Sequence, residues 1–248
     1  MKKNILVHYN EIALKGKNRD FFEKKLVENI KNQTGAKVRR LTGRILVEVF
    51  SPPHPQRGEP ACRQAGVGGG NFEATLEKLG KVFGISSYSP VVEVKTDLEE
   101  IKKGAVSLLD SRNPIVKDKT FKVETRRGYK QFALNSMEIS RDVGEYVLEN
   151  YPLPNPPLPA GRGGKRNVIS SLSAEGEAGR GINVNVKNPD LVINIEVLKD
   201  TTYLYAQKIK GSGGLPVGTS GKMLALISGG IDSPVASYLM MKRGCNLD

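Results

Sequence analysis

The sequence predicts an α+β protein: two successive α+β units, followed by the first β-α unit of an α/β domain. Three observations carry this. Residues 1–95 alternate strand-like and helix-like apolar patterns in the order β-α-β-β-α-β. Residues 96–210 mix helices and strands again. From residue 222 the pattern changes to a continuous apolar run, a Gly-rich turn and a helix.

The first unit opens with a short β-type run at residues 4–9 (NILVHY). A helix begins at residues 16–19 (GKNR). Phe21, Phe22, Leu26, Val27 and Ile30 recur at helical spacing, Lys24, Lys25 and Lys31 lie off that face, and Gly35 closes it. Residues 37–41 and 44–50 flank Thr42-Gly43, a hairpin signal. A helix at 72–79 and a strand at 86–94 complete the order that defines a ferredoxin-like unit.

The second unit begins with an amphipathic helix over 97–109, Asp97 being its N-cap candidate. Residues 120–125 (TFKVET) alternate like a strand. A helix over 136–149 is opened by Ser136, with Glu138 and Asp142 near its N-terminal end. Strands follow at 183–186, 191–197 and 202–206, with turn residues between them.

Two stretches, 51–71 and 152–181, are crowded with Pro and Gly and share similar pieces. Neither has an apolar face to offset the entropy of ordering, so both read as disordered surface insertions. The alternative for the second is a basic RNA-binding arm using Arg162, Lys165 and Arg166.

Residues 211–221 (GSGGLPVGTSG) form a linker by composition. Residues 222–227 (KMLALI) suit a parallel strand buried on both faces. SGGIDS and a helix ending near Gly244 follow. A strand-loop-helix cannot bury its own faces, so residues 222–248 read as a third domain, C-terminally truncated at Asp248.

A net charge of +12 favours a polyanionic partner, most often nucleic acid. Two cysteines and two histidines supply neither a disulfide framework nor a zinc site. The N-terminal apolar run is too short for a signal peptide and no segment could span a membrane, so the expected location is cytoplasmic.

The chemistry sits in residues 228–233. Gly229 and Gly230 let backbone N–H groups come close to a ligand, and the amides of the following helix add positive potential. Ser228 and Ser233 add hydroxyl donors, completing a phosphate cradle. Asp232 would repel phosphate unless a cation intervened, which points to Mg²⁺ bridging the two; the alternative is a helix N-cap. Gly221-Lys222 is not the end of a P-loop, because Met223 follows it and position 216 is Pro.

SGG-x-DS between an apolar strand and a helix resembles the loop of PP-loop ATP pyrophosphatases. Residues 9–19 (YNEIALKGKNR) look like the start of bacterial tRNA 4-thiouridine synthetases, also called thiamine-biosynthesis sulfurtransferases. Residues 119–130 (KTFKVETRRGYK) resemble their THUMP RNA-binding domain, and Asn188-Pro189-Asp190 and 213–219 are similar to theirs. Asn10 departs from the family's usual Gly.

The resemblance implies a ferredoxin-like domain at 1–95, a THUMP domain at 96–210 and a truncated PP-loop domain at 222–248. The first two would grip the acceptor end of tRNA. Arg126, Arg127 and Lys130 would contact phosphates, as would Lys15, Lys17 and Arg19; the alternative is an ordinary solvated surface. ATP would activate a uridine carbonyl oxygen, splitting to AMP and pyrophosphate. Leu226 and Ile227 would meet the nucleotide through their backbone, and Asp232 would hold Mg²⁺ and pyrophosphate. A persulfide donor, such as a cysteine desulfurase, would supply the sulfur that displaces AMP.

In the family the sulfur-carrying cysteine lies well beyond this loop. Cys245 is too close and reads as a small buried residue, and Cys62 sits in an insertion. No catalytic cysteine is assigned. Three functions follow: a tRNA sulfurtransferase of which this is an incomplete part, a non-catalytic tRNA-binding fragment, or a PP-loop synthetase acting on a small molecule. The basic N-terminal region argues against the third.

Overall fold

The apolar run Ile5-Leu6-Val7, fully buried, makes β1 (Lys2–His8) a central strand of the first unit. The computed structural model describes residues 2–50, 72–110, 120–151 and 183–248. The stretches expected as insertions, with His54, Cys62, Arg162, Lys165 and Arg166, lie outside the described residues.

After β1, two short 3-10 turns (Glu11–Leu14 and Gly16–Asn18) lead into α1 (Arg19–Thr34). β2 (Lys37–Leu41) and β3 (Arg44–Phe50) form the hairpin expected from Thr42-Gly43, with Leu41 opposite Arg44. α2 (Phe72–Gly80) and β4 (Ser87–Lys95) complete the order. The strands lie β2-β3-β1-β4, all antiparallel. Ile5, Val7, Ile45, Val47 and Val49 share one core with Leu26 and Ile30 of α1 and Leu79 of α2. This is the strand order of a ferredoxin-like unit.

The second unit spans residues 93–206. α3 (Leu98–Asp110) begins as expected, Asp97 Oδ2 accepting from the N–H groups of Glu99 (3.1 Å) and Glu100 (3.3 Å). β5 (Thr120–Arg127) pairs parallel with β7 (Leu191–Val197) on one side and β6 (Asn183–Val184) on the other. β8 (Thr201–Tyr205) pairs antiparallel with β7. α4 (Ser136–Asn150) packs on α3 and β5, burying Ile139, Val143 and Val147.

The cap of α4 is Asn135 rather than Ser136. Asn135 Oδ1 accepts from Met137 N–H (2.9 Å) and Glu138 N–H (3.0 Å), and Glu138 Oε2 accepts from Asn135 N–H (2.7 Å). Both Asn135 and Ser136 can cap a helix. The acid three residues after Asn135 completes a capping box there and selects it. Asn135→Ala is expected to cost roughly 1 kcal/mol of stability, read from denaturant unfolding at constant m-value.

Residues 207–248 close up on the first unit, residues 1–92. β9 (Ile209–Lys210) pairs antiparallel with β4. Residues 211–221, a linker by composition, are not a loose tether, because their backbone is hydrogen-bonded at both ends. β10 (Lys222–Met223), α5 (Asp232–Lys242) and β11 (Asn246–Leu247) follow, with β10 and β11 parallel.

The strand expected over 222–227 and buried on both faces is corrected. Only Lys222–Met223 pairs as strand, and Leu224, Leu226 and Ile227 are 73%, 83% and 65% exposed. A parallel strand is buried by layers on both faces. Among the described residues, β10 has a single strand neighbour, β11, and the apolar side chains of Leu224, Leu226 and Ile227 after it stay in solvent.

Candidate nucleotide loop and RNA-facing cations

The turn between β10 and α5 is drawn together by its two serines. Ser233 Oγ accepts from Ser228 N–H at 3.0 Å and lies 3.1 Å from Ser228 Oγ. Ser228 Oγ in turn accepts from Gly230 N–H at 3.3 Å. A Cβ on Gly229 would meet nothing within 4 Å, and neither Gly229 nor Gly230 has positive φ. Neither chain packing nor a left-handed turn therefore demands glycine at 229. The open space beside Gly229 leaves room for a ligand against the backbone.

Asp232 is the first residue of α5, and the N-cap is Ile231, with no side-chain cap bond. The capping alternative for Asp232 is thus not what the helix uses. Asp232 is exposed at the start of α5, where first-turn N–H groups have no helical partner. Among the described residues, no group of three or more His, Cys, Asp or Glu could hold a metal. Asp232 alone suits a cation held mainly by phosphate oxygens and water, which is how Mg²⁺ is usually bound. Leu226 and Ile227 precede the loop and are exposed. Cys245 is buried, as expected, with Sγ 3.8 Å from Ser220 O.

The first group of candidate cations sits on the 3-10 turns before α1. Lys17 is exposed, and Lys15 Nζ lies 5.1 Å from the Phe22 ring centroid. Arg19 is engaged internally. Its Nε donates to Glu23 Oε1 at 2.7 Å, its Nη2 donates to the Tyr9 hydroxyl at 2.9 Å, and its guanidinium stacks over the Tyr9 ring. Tyr9 also donates to Glu23, and Arg40 reaches Glu23 Oε2 at 3.2 Å and Asp20 Oδ1 at 2.7 Å. The cluster ties the end of β1 to α1 and thereby fixes the intervening turn that presents Lys15 and Lys17. Sequence reasoning missed it. The Arg19–Glu23 spacing of i,i+4 was its one visible signal.

Burial, and then the bond to Glu23, push the Tyr9 hydroxyl up from 10.0 to about 12. The folded chain holds this proton more tightly than the unfolded one. The resulting stabilisation is complete below pH 10 and is lost as pH rises through about 12. Alkaline unfolding between these values is expected to flatten in Tyr9→Phe, and a pH series of denaturant midpoints measures it.

The second group lies at the end of β5. Arg126 and Lys130 are exposed. Arg127 is half-buried and donates through Nη1 to Phe132 O (3.1 Å) and Leu134 O (2.8 Å), which shapes the turn leading into α4. No helix among the described residues is long and apolar enough to cross a membrane.

Fold and loop together define a class: a ferredoxin-like unit and a second α+β unit, followed by a short β-α element whose connecting loop is rich in glycine and lined by two serines. Residues 4–61 match the ThiI ferredoxin-like domain, 95–158 and 166–207 the THUMP domain, and 218–248 the thiamine biosynthesis protein (ThiI) family. A "Probable tRNA sulfurtransferase" of Caldanaerobacter subterraneus subsp. tengcongensis is 41% identical over 100% of this chain and 53% of its own length. One of Brevibacillus brevis is 40% identical over 98% of this chain and 50% of its own length. A solved 4-thiouridine synthetase, in complex with RNA and with bound ATP, superposes at a TM-score of 0.70 with 31% identity, covering 100% of this chain and 52% of its own. A solved Pyrococcus horikoshii Ot3 protein superposes at 0.71 with 30% identity, over 99% and 67%. The chain belongs to the tRNA sulfurtransferase (4-thiouridine synthetase, ThiI) family. It spans about half the length of the curated relatives it matches.

Proposed function

We propose that this chain is the tRNA-gripping part and the phosphate loop of a tRNA sulfurtransferase, which uses ATP to adenylate a tRNA uridine and installs sulfur to give 4-thiouridine. The single observation that carries the reading is the placement of the Ser228–Ser233 loop. It opens α5 in a chain whose preceding residues match the ThiI ferredoxin-like and THUMP domains. The domains are read as 1–95, 96–210 and 222–248, with 211–221 joining the last two.

In this reading Arg126, Lys130, Lys15 and Lys17 contact tRNA phosphates near the acceptor end. Arg127 and Arg19 shape the turns that carry them while keeping charge at the surface. Ser228, Gly229, Gly230 and Ser233 cradle the ATP phosphates, the backbone of Leu226 and Ile227 borders the nucleotide, and Asp232 holds Mg²⁺ and pyrophosphate. When bound, ATP supplies the adenylyl group that turns the uridine oxygen into a leaving group. Sulfur comes from a persulfide donor whose outer sulfur displaces AMP, and a second thiol then frees the thiocarbonyl by taking the inner sulfur into a disulfide; the cytoplasm is the proposed location. Sulfur transfer for thiamine synthesis is a second product line consistent with the family.

The test is stoichiometry in the protein that carries this chain. With tRNA, Mg²⁺-ATP and a persulfide donor, 4-thiouridine, AMP and pyrophosphate should form in equal amounts. AMP formation without thiolated tRNA, or independent of tRNA, would contradict the reading.

A further inference from the structure

The composition of residues 211–221 is that of a flexible tether, and their geometry is the opposite. At one end the segment is bonded to the ferredoxin-like unit. Gly211 N–H donates to Ser86 O at 3.0 Å and Gly213 N–H to Ile85 O at 2.7 Å, while Gly213 O accepts from Gly84 N–H at 2.8 Å. Ser212 Oγ donates to Gly80 O at 2.6 Å, and Asn29 Nδ2 from α1 donates to Val217 O at 3.0 Å. At the other end the same segment meets the C-terminal carbonyls of α5. Leu215 N–H donates to Lys242 O at 2.9 Å, and Ser220 Oγ donates to Arg243 O at 2.7 Å. The N–H groups of Gly218, Thr219 and Ser220 converge on Gly244 O at 2.9, 3.0 and 3.0 Å.

Two glycines are there for close approach rather than freedom. A Cβ on Gly211 would lie 2.3 Å from Ile85 O. One on Gly214, where φ is +75°, would lie 2.2 Å from Lys242 O. Both obstacles are backbone carbonyls, one just before β4 and one in the last turn of α5, and neither can yield without shifting the chain that carries it. The rings of Phe83 and Tyr238, 5.0 Å apart and edge-on, add a direct contact between the unit and α5.

We propose that residues 211–221 are a rigid strap. It fixes α5, and with it the phosphate loop at the start of α5, onto the ferredoxin-like unit. The nucleotide loop then sits at a preset distance from the Lys15–Lys17 turn of that unit. The geometric half stands on the contacts above; the functional half rests on the proposed sulfurtransferase reading. Reactions that join two held substrates lose rate steeply when one is misplaced by about 1 Å, which gives a rigid joint its value.

The strap is tested on the whole chain by electron-spin distance measurement. Nitroxides are placed on Lys31→Cys and Ala236→Cys, both exposed positions, in a Cys62→Ser background. A single narrow distance is expected in the free chain. Gly214→Ala should broaden it toward the spread of a Gly/Ser tether, and the milder Asn29→Ala should broaden it in part. A broad distribution in the unsubstituted chain overturns the proposal, as does an unchanged narrow distance in both variants. Because the measurement needs neither RNA nor nucleotide, it can succeed where the sulfurtransferase reading fails. In the catalytically complete protein, Gly214→Ala should lower kcat for thiolation by about 100-fold with little change in the KM for tRNA. A rise in KM at unchanged kcat contradicts the positioning role.

Discussion

Asp232→Asn is expected to lower ATP-dependent thiolation in the complete protein by roughly 10²–10³-fold, with little change in fold stability. The geometry explains both halves. Asp232 is exposed in the first turn of α5 and does not cap it, Ile231 being the cap residue. Its loss removes only a modest interaction with the helix dipole, about 0.3–1 kcal/mol. What the substitution does remove is the one carboxylate of the loop, which in the proposed reading holds a cation against the phosphates. Rates measured across a Mg²⁺ titration, beside thermal unfolding of the same variant, check this. Full activity at saturating Mg²⁺, or a loss of activity that merely follows a loss of stability, would remove Asp232 from the reaction.

The second large effect is on RNA. Arg126→Ala combined with Lys130→Ala is expected to weaken tRNA binding roughly tenfold near physiological salt and to reduce the salt slope by about 1 per contact removed. Both side chains are exposed, Arg126 near the end of β5 and Lys130 in the turn beyond it. Arg127 differs. Its bonds to Phe132 O and Leu134 O hold the turn, so its loss would act through disorder of that turn as well as through charge. Equal salt slopes for the double variant and the unsubstituted chain would show that these residues face solvent only.

Local signals made much of the architecture readable. The Thr42-Gly43 hairpin and the Asp97 cap are decided within a few residues, and each appears as expected; of the apolar face expected for α1, Leu26 and Ile30 are buried while Phe21 is 53% exposed. The misreadings arose where a distant partner decides. Residues 222–227 have the composition of a buried strand, but burial needs neighbours that these residues cannot supply themselves. Residues 211–221 are rich in glycine, which marks either freedom or close approach, and only the positions of Ile85 O and Lys242 O distinguish the two. The cap of α4 is the exception, decided locally: Ser136 and Asn135 are both capping types, and Glu138, three residues after Asn135, settles the choice. At the candidate site, the loop residues were visible as a motif. The internal commitments of Arg19 and Arg127 were not: beyond the i,i+4 spacing of Arg19 and Glu23, Tyr9 and the 132–134 carbonyls are joined to them only by the fold.

The central claim is that the two N-terminal units form a tRNA-binding platform. The most direct test titrates this chain with folded tRNA and with an unstructured RNA of equal length, at several salt concentrations. Tighter binding of tRNA at every salt concentration, with a slope that reports several phosphate contacts, is the expected result. Equal affinity for the two RNAs throughout would contradict the account.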